Sequence, residues 1–322
     1  MLNINDKFMP LHPLKTAVLL LVFNRLETTK HVFEAIREAK PPRLYIASDG
    51  ARKSKGGEWE KIKAVRDYLT SSIDWKCELK TLFREQNLGC KLAPSGAIEW
   101  FFKNEDMGII LEDDCVPSKS FFWFCEELLE KYQSNNNIFL ISGDGRGAQQ
   151  VNMNYDYDFT KYSLTWGWAS WSRVWNKYDV GMSDWCENKA KFLDEVSEYK
   201  STKKYWATAL QNTYDNRTNA WDFQFSYLLL KNKGLCIVPR VNMISNIGFG
   251  VDATHTTRTY GSKNSNENIP RFNLQFPIHH PPQVGQSEPI NRFYELTEFK
   301  SRNVVIRVIN KISRMISGKN II

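Results

Sequence analysis

The sequence predicts an α/β fold, a Rossmann-like, mostly parallel central sheet flanked by helices. Two patterns predict it. In the first half, short continuous apolar runs alternate four times with segments whose apolar residues recur at helical spacing. Such alternation builds a parallel sheet with helical crossovers on both faces. Three of the runs also end in conspicuous polar residues: Asn24-Arg25, Ser48-Asp49-Gly50 and Glu112-Asp113-Asp114. A sheet of this kind collects its ligands at the carboxyl ends of its strands.

Residues 16–23, TAVLLLVF, form the first run, continuous and bounded by polar turns as a fully buried strand requires. After Asn24 and Arg25, LETTKHVFEAIREAK places Val32, Phe33, Ile36 and Ala39 on one helical face, and Pro41-Pro42 stop that helix. RLYIAS (43–48) is the second strand, GGEWEKIKAVRDYLTSS (56–72) the second helix and ELKTLFRE (78–85) the third strand. GCKLAPSGAIEWFFKN (89–104) supplies another helix, and MGIIL (107–111) a fourth strand that delivers the acids. SKSFFWFCEELLEKYQ (118–133) is amphipathic and helical, and IFLISG (138–143) reads as a fifth strand. From about residue 145 the chain turns rich in Trp, Tyr, Asn and Gly, with helices expected around 185–215 and 222–232. We divide it into 1–147, 148–295 and 296–322; no Pro/Ser-rich linker marks the first boundary, so the second part is expected to pack on the first as one continuous unit.

Composition narrows the classes. With 322 residues, 42% hydrophobic and 25% charged, the chain matches an ordinary globular protein able to bury a sizeable core. Eleven tryptophans are many; most suit core packing, though their flat faces also suit stacking on sugars. No run approaches the roughly 20 apolar residues of a membrane span. The start, MLNINDKFMPLHPLK, lacks the basic and apolar regions of a signal peptide. Six cysteines without a CxxC pair fit a reduced, intracellular protein, so a cytoplasmic location is expected. Dinucleotide and P-loop fingerprints are absent, and basic residues are not interleaved with aromatics as a nucleic-acid surface requires. The net charge is +7, with basic residues spaced between apolar ones in EFKSRNVVIRVINKISRMISGKNII. That pattern describes a basic amphipathic helix able to lie on an anionic membrane surface, or one docked on its own domain.

The acids raise the central question. At about 6 Å and an effective dielectric of about 20, each like-charge pair among them costs roughly 3 kcal/mol. Either water screens them on a surface turn, or a cation sits among them. On an extended backbone Glu112 and Asp114 would share a face and Asp113 would point away. Two oxygen ligands on one side suit Mg²⁺ or Mn²⁺ completed by substrate phosphates.

A buried strand ending in EDD behind a nucleotide-binding half resembles the nucleotide-sugar glycosyltransferases of GT-A fold, among them the enzymes that add β-1,2-linked N-acetylglucosamine to mannose on N-glycans. The stretches carrying the likeness are LVFNR (21–25), SDG (48–50), KLAPSGAIEWFF (91–102), ILEDDCVPSKSFF (110–122), TWGWASW (165–171) and AWDFQF (220–225). The resemblance implies an inverting transfer from a UDP-sugar to a hydroxyl of a glycan or lipid-linked acceptor, dependent on Mn²⁺ or Mg²⁺. It places the metal on Asp114, ribose and sugar hydroxyls on Asp113 and Glu112, the base on Asp49, and the nucleotide beside Asn24 and Arg25. Asp222 matches the general base; on the residues alone an aspartate there caps a helix or meets its dipole. His255, in GFGVDATHT, would complete the metal shell or serve as a polar loop residue. Trp166 or Trp168 would stack on a sugar ring, Gly167 permitting close approach, while Trp171 and Trp175 read as core. Family members carry a transmembrane anchor that this sequence does not show, so action on lipid-linked or surface glycans at the cytoplasmic membrane face is expected. Two alternatives remain. A sugar-nucleotide-forming nucleotidyltransferase needs a Gly-rich loop that FNRLETTKHVF lacks; a non-catalytic nucleotide- or carbohydrate-binding protein would use the same scaffold.

Overall fold

The computed structural model describes residues 8–248 and 269–301. Four parallel strands come from the first half: β1 (Val18–Val22), β2 (Arg43–Ser48), β3 (Glu78–Phe83) and β4 (Met107–Glu112). Every residue of β1 is buried, which is why its sequence is continuously apolar rather than alternating. Helices α1 (Leu26–Ala39), α2 (Glu58–Ser71) and α3 (Gly89–Phe102) make the crossovers. Arg25 is the residue before α1, and its carbonyl accepts the Thr29 N–H at 3.1 Å and hydroxyl at 2.6 Å. The left-handed Lys40 ends α1 before the two prolines.

The remaining elements are β5 (Cys115–Pro117), α4 (Phe121–Lys131), β6 (Ile138–Ser142), β7 (Tyr157–Thr160), β8 (Trp168–Trp171), α5 (Ser172–Trp175), α6 (Trp185–Glu195), α7 (Lys200–Tyr214), α8 (Asp222–Lys231), β9 (Leu235–Pro239), β10 (Ile244–Asn246) and α9 (Glu288–Thr297). Eight strands form one sheet in the order β3-β2-β1-β4-β8-β6-β9-β7, and β5 pairs with β10 in a separate ribbon. In the large sheet β7 and β8 run against the other six, so it is mixed but mostly parallel. The sheet does not stop at residue 147: β8 inserts between β4 and β6.

Strand order decides where a crevice opens. The chain steps outward from β1 to β2 to β3, then returns to the other side of β1 with β4. Such a reversal parts the connections on either side of β1 and leaves a cleft at the carboxyl ends. Register brings Val22 opposite Ser48 and Leu21 opposite Glu112, so the polar strand ends emerge at one level.

Three expectations change. The helical stretch around 185–215 is two helices, α6 and α7, interrupted where the Ser197 hydroxyl accepts the Tyr199 N–H at 3.0 Å. The second helix begins at Glu58, after Gly57 in the left-handed region (φ 72°). Trp/Tyr-rich sequence around 157–171, to which the pattern assigned no element, contributes two strands, each antiparallel to its neighbours in the sheet. The basic segment 302–322, Asp252 and His255 lie outside the described residues. No helix among the described residues is long and apolar enough to cross a membrane.

Candidate active site

A cavity of about 350 Å³ opens at the carboxyl ends of β1 and β4. It is lined by Arg25, Asp49, Glu112, Asp113, Asp114, Trp166 and Asp222, among others.

β4 ends at Glu112, and the chain turns through Asp113 and Asp114 instead of continuing extended. The two-residue alternation therefore stops one position early. Asp113 does not point away: it and Asp114 share one guanidinium nitrogen, Arg25 Nη2, which donates to Asp113 Oδ1 and, at 2.8 Å, to Asp114 Oδ2. Asp113 Oδ2 also accepts the Phe23 N–H at 3.3 Å. Asp114 is fixed through its backbone, its carbonyl accepting the Ile247 N–H at 2.8 Å beside the β5–β10 ribbon.

Electrostatics answer the question the triplet posed. Burial works against the charge of Arg25, but Asp113 and Asp114 together outweigh it and its pKa is raised. Burial pushes the Asp113 carboxyl up to about 6, with Arg25 opposing the rise. For Glu112 the opposing charge is outweighed: burial first, then Asp114, Asp113 and Asp222, push it up to about 8 against Arg25. Two of the acids are thus held by an arginine, and the third is pushed toward its protonated form.

Asp222 is the first residue of α8, following Trp221 at the N-cap position. It reaches the cavity from the far half of the chain, and its charge is among those that raise Glu112. A carboxylate in a first turn also meets the positive end of the helix dipole, so it is stabilised as an anion there.

Three predicted site residues serve other ends. Asp49 lines the cavity, but its carboxylate accepts the N–H groups of Gly50, Leu88 and Gly89 and the Asn87 amide, all within 2.9–3.0 Å. With about four lone-pair sites on a carboxylate, little remains for a base, so Asp49 anchors the loop that starts α3. Asn24 turns aside to donate to Glu58 Oε1 at 3.0 Å. Trp168 is fully buried, stacked among Trp221, Trp175 and Phe225, and cannot face a sugar. Of the two, Trp166 is the one on the cavity wall, with the Arg146 guanidinium 4.1 Å from its ring centroid and Arg146 held by Asp144.

Sequence reasoning missed Arg52, Arg84, Asn87 and Asn219, all on the cavity lining. Arg84 was within reach: it directly follows β3, the same strand-end position that singled out Arg25. Its half-buried guanidinium donates to the Ala93 carbonyl at 3.1 Å, and burial lowers its pKa.

Among the described residues no group of three His, Cys, Asp or Glu side chains is placed to hold a metal. What the site offers is the pair Asp113 and Asp114, already bridging one cationic nitrogen. One or two carboxylates, with water and phosphate oxygens for the remaining positions, are the usual protein share of a Mg²⁺ site. The donor chemistry of this pair fits such an ion, which Asp113 and Asp114 would hold.

No family model matches the chain, and no curated protein does. Among solved structures it is similar to a mannosyltransferase from Pyrobaculum calidifontis in complex with GDP-mannose and Mn²⁺, at 10% identity and a TM-score of 0.38, covering 71% of this chain and 73% of that one. It is similar to the galactosyltransferase LgtC at 11% identity and 0.36, covering 91% and 99%. For TarS of S. aureus the values are 12% and 0.33, covering 62% and 55%. At such scores the likeness says nothing of the reaction, which is argued from the site's own residues.

Proposed function

We propose that this protein is a metal-dependent, inverting glycosyltransferase that moves a sugar, N-acetylglucosamine among the candidates, from a UDP-sugar to a hydroxyl of a glycan or lipid-linked acceptor. The observation that carries the reading is one cavity that gathers Arg25, Glu112, Asp113 and Asp114 from the ends of β1 and β4 with Asp222 from the start of α8. Residues 1–147 then form the donor half and 148–295 the acceptor half.

Asp114 and Asp113 would hold Mn²⁺ or Mg²⁺. A bound divalent ion supplies Lewis-acid stabilisation to the departing diphosphate. Arg25, and Arg84 on the same lining, would set fixed positive charge against a donor that is strongly anionic. Glu112 would hold a sugar or ribose hydroxyl. Asp222, anionic, takes the proton of the acceptor hydroxyl as that oxygen attacks the anomeric carbon, and attack from the face opposite the leaving group inverts the centre. Trp166 walls the cavity on the side of the second half.

The test is binding of UDP-sugars with and without Mn²⁺, followed by slow donor hydrolysis in the absence of acceptor. Nucleotide binding that survives chelation, with no turnover of any donor, would identify a non-catalytic binding protein instead.

A further inference from the structure

The cation shared by Asp113 and Asp114 belongs to the chain itself. Arg25 lies on the cavity lining with its side chain 21% exposed, and one of its nitrogens serves both carboxylates. We infer that Arg25 exchanges partners: it is the counter-ion of Asp113 and Asp114 when no divalent cation is bound, and passes to the donor diphosphate when such a cation takes those carboxylates. This rests on the functional reading above and deepens it.

Charge counting gives the reason. Two carboxylates against one guanidinium leave the bridge itself with a single net negative charge. A diphosphate arriving alone meets that negative charge and an arginine already engaged. A divalent ion arriving alone satisfies both carboxylates but leaves a largely buried guanidinium without a counter-ion, which is costly away from water. With both ligands present the carboxylates would have the cation, and the guanidinium the diphosphate, as counter-ion. Each ligand therefore prepares the site for the other, and the coupling is reciprocal.

The geometry allows the exchange with little else moving. The backbone of Arg25 is tied to Thr29 at the start of α1. Asp113 keeps its bond to the Phe23 N–H, and Asp114 is held through its own carbonyl by Ile247. Only the arginine side chain has to swing. Gly248 is the close neighbour of the pair: a Cβ there would lie 2.0 Å from Asp114 Oδ2 and 2.9 Å from Arg25 Nη1, so the backbone packs on the bridge from that side.

The inference predicts an effect of unusual sign. Free Mn²⁺ is followed by electron paramagnetic resonance in titrations of wild type and Arg25→Gln, without nucleotide and then with UDP. Removing the competitor should tighten Mn²⁺ binding about tenfold in the absence of UDP, within the range of ordinary site coupling. UDP binding at saturating Mn²⁺ should weaken by a similar factor. Arg25→Lys, which keeps the charge but loses the planar fork, should fall between the two for Mn²⁺. Because the Gln variant leaves buried carboxylates uncompensated, thermal melts accompany the titrations: Mn²⁺ alone should raise Tm in Arg25→Gln and barely move it in wild type. Mn²⁺-dependent UDP binding in wild type, with no tightening and no added Tm gain in the Gln variant, overturns the exchange alone. Wild type that binds no UDP with Mn²⁺ overturns the functional reading and the exchange with it.

Discussion

Trp168 stacks on Trp221, their ring centroids 5.5 Å apart and their planes 22° from parallel. Trp221 lines the cavity and immediately precedes Asp222, so the indole beneath it helps set where α8 begins. Phe225 and Trp175 lie 5.3 and 6.3 Å from Trp168 and complete the cluster. A residue expected to touch sugar is instead part of the footing of the candidate base.

Trp168→Ala should therefore cost stability first, about 3–5 kcal/mol as for other buried aromatics, read as a shift in urea midpoint. Trp168→Phe should lose less. A residue stacking on sugar at the surface would behave the opposite way, leaving the midpoint in place and weakening ligand binding only. An unchanged midpoint in Trp168→Ala would return Trp168 to the sugar site.

Asp49 makes a second separation between holding and binding. Asp49→Ala should strand the part-buried Leu88 and Gly89 N–H groups, each costing at most the roughly 1–3 kcal/mol of a fully buried unsatisfied donor. Asp49→Asn keeps one carbonyl oxygen and should cost less. Urea melts of the nucleotide-free protein measure both. If neither variant loses stability while UDP affinity collapses, the carboxylate reads the base after all.

How much of this was legible follows from the range over which each signal acts. β1 to β4 announce themselves because parallel strands buried on both faces must be continuously apolar. Arg25 and the acids were found because strand ends in such a sheet face its crevice. β7 and β8 are four residues each and pair antiparallel with strands remote in sequence, so nothing local marks them. The partners of Asp49 stand about forty positions away at the start of α3, and no periodicity reports such a bond. Trp166 and Trp168 could not be told apart because the difference lies in Gly167, whose φ of +59° breaks the alternation between them. The pairing of Asp113 with Asp114 was hidden for the same kind of reason: the turn after Glu112 ends the strand rule.

Glu112 gives the site a pH signature in metal-free buffer. Burial raises its folded pKa to about 8, above the roughly 4.3 of an unfolded glutamate. The folded state thus holds a proton that the unfolded chain releases, and stability falls as pH rises between those two values. The slope contributed is at most about 1.4 kcal/mol per pH unit. Glu112→Gln imitates the protonated form and should remove that slope. Urea melts with chelator at pH 5 and pH 8 should show the variant gaining on wild type toward pH 8. Parallel losses in both proteins would mean that Glu112 ionises normally.

Asp222 carries the sharpest claim on chemistry. Asp222→Asn keeps size and polarity at the first turn of α8 but cannot accept a proton at neutral pH. If the residue is the general base, turnover should fall by about 10²–10⁴ while Mn²⁺-dependent UDP binding stays near wild type. Loss of the anion should also ease the repulsion on Glu112, in which Asp222 has a part, so the pH window of the slope attributed to Glu112 should end at a lower pH in the variant. A helix-terminal role alone predicts a different pair of results: a stability loss of about 0.3–1 kcal/mol from the dipole and turnover left intact. Calorimetric UDP titration beside a turnover assay on the same preparation separates the two, because only the catalytic role lowers the rate without touching the donor affinity.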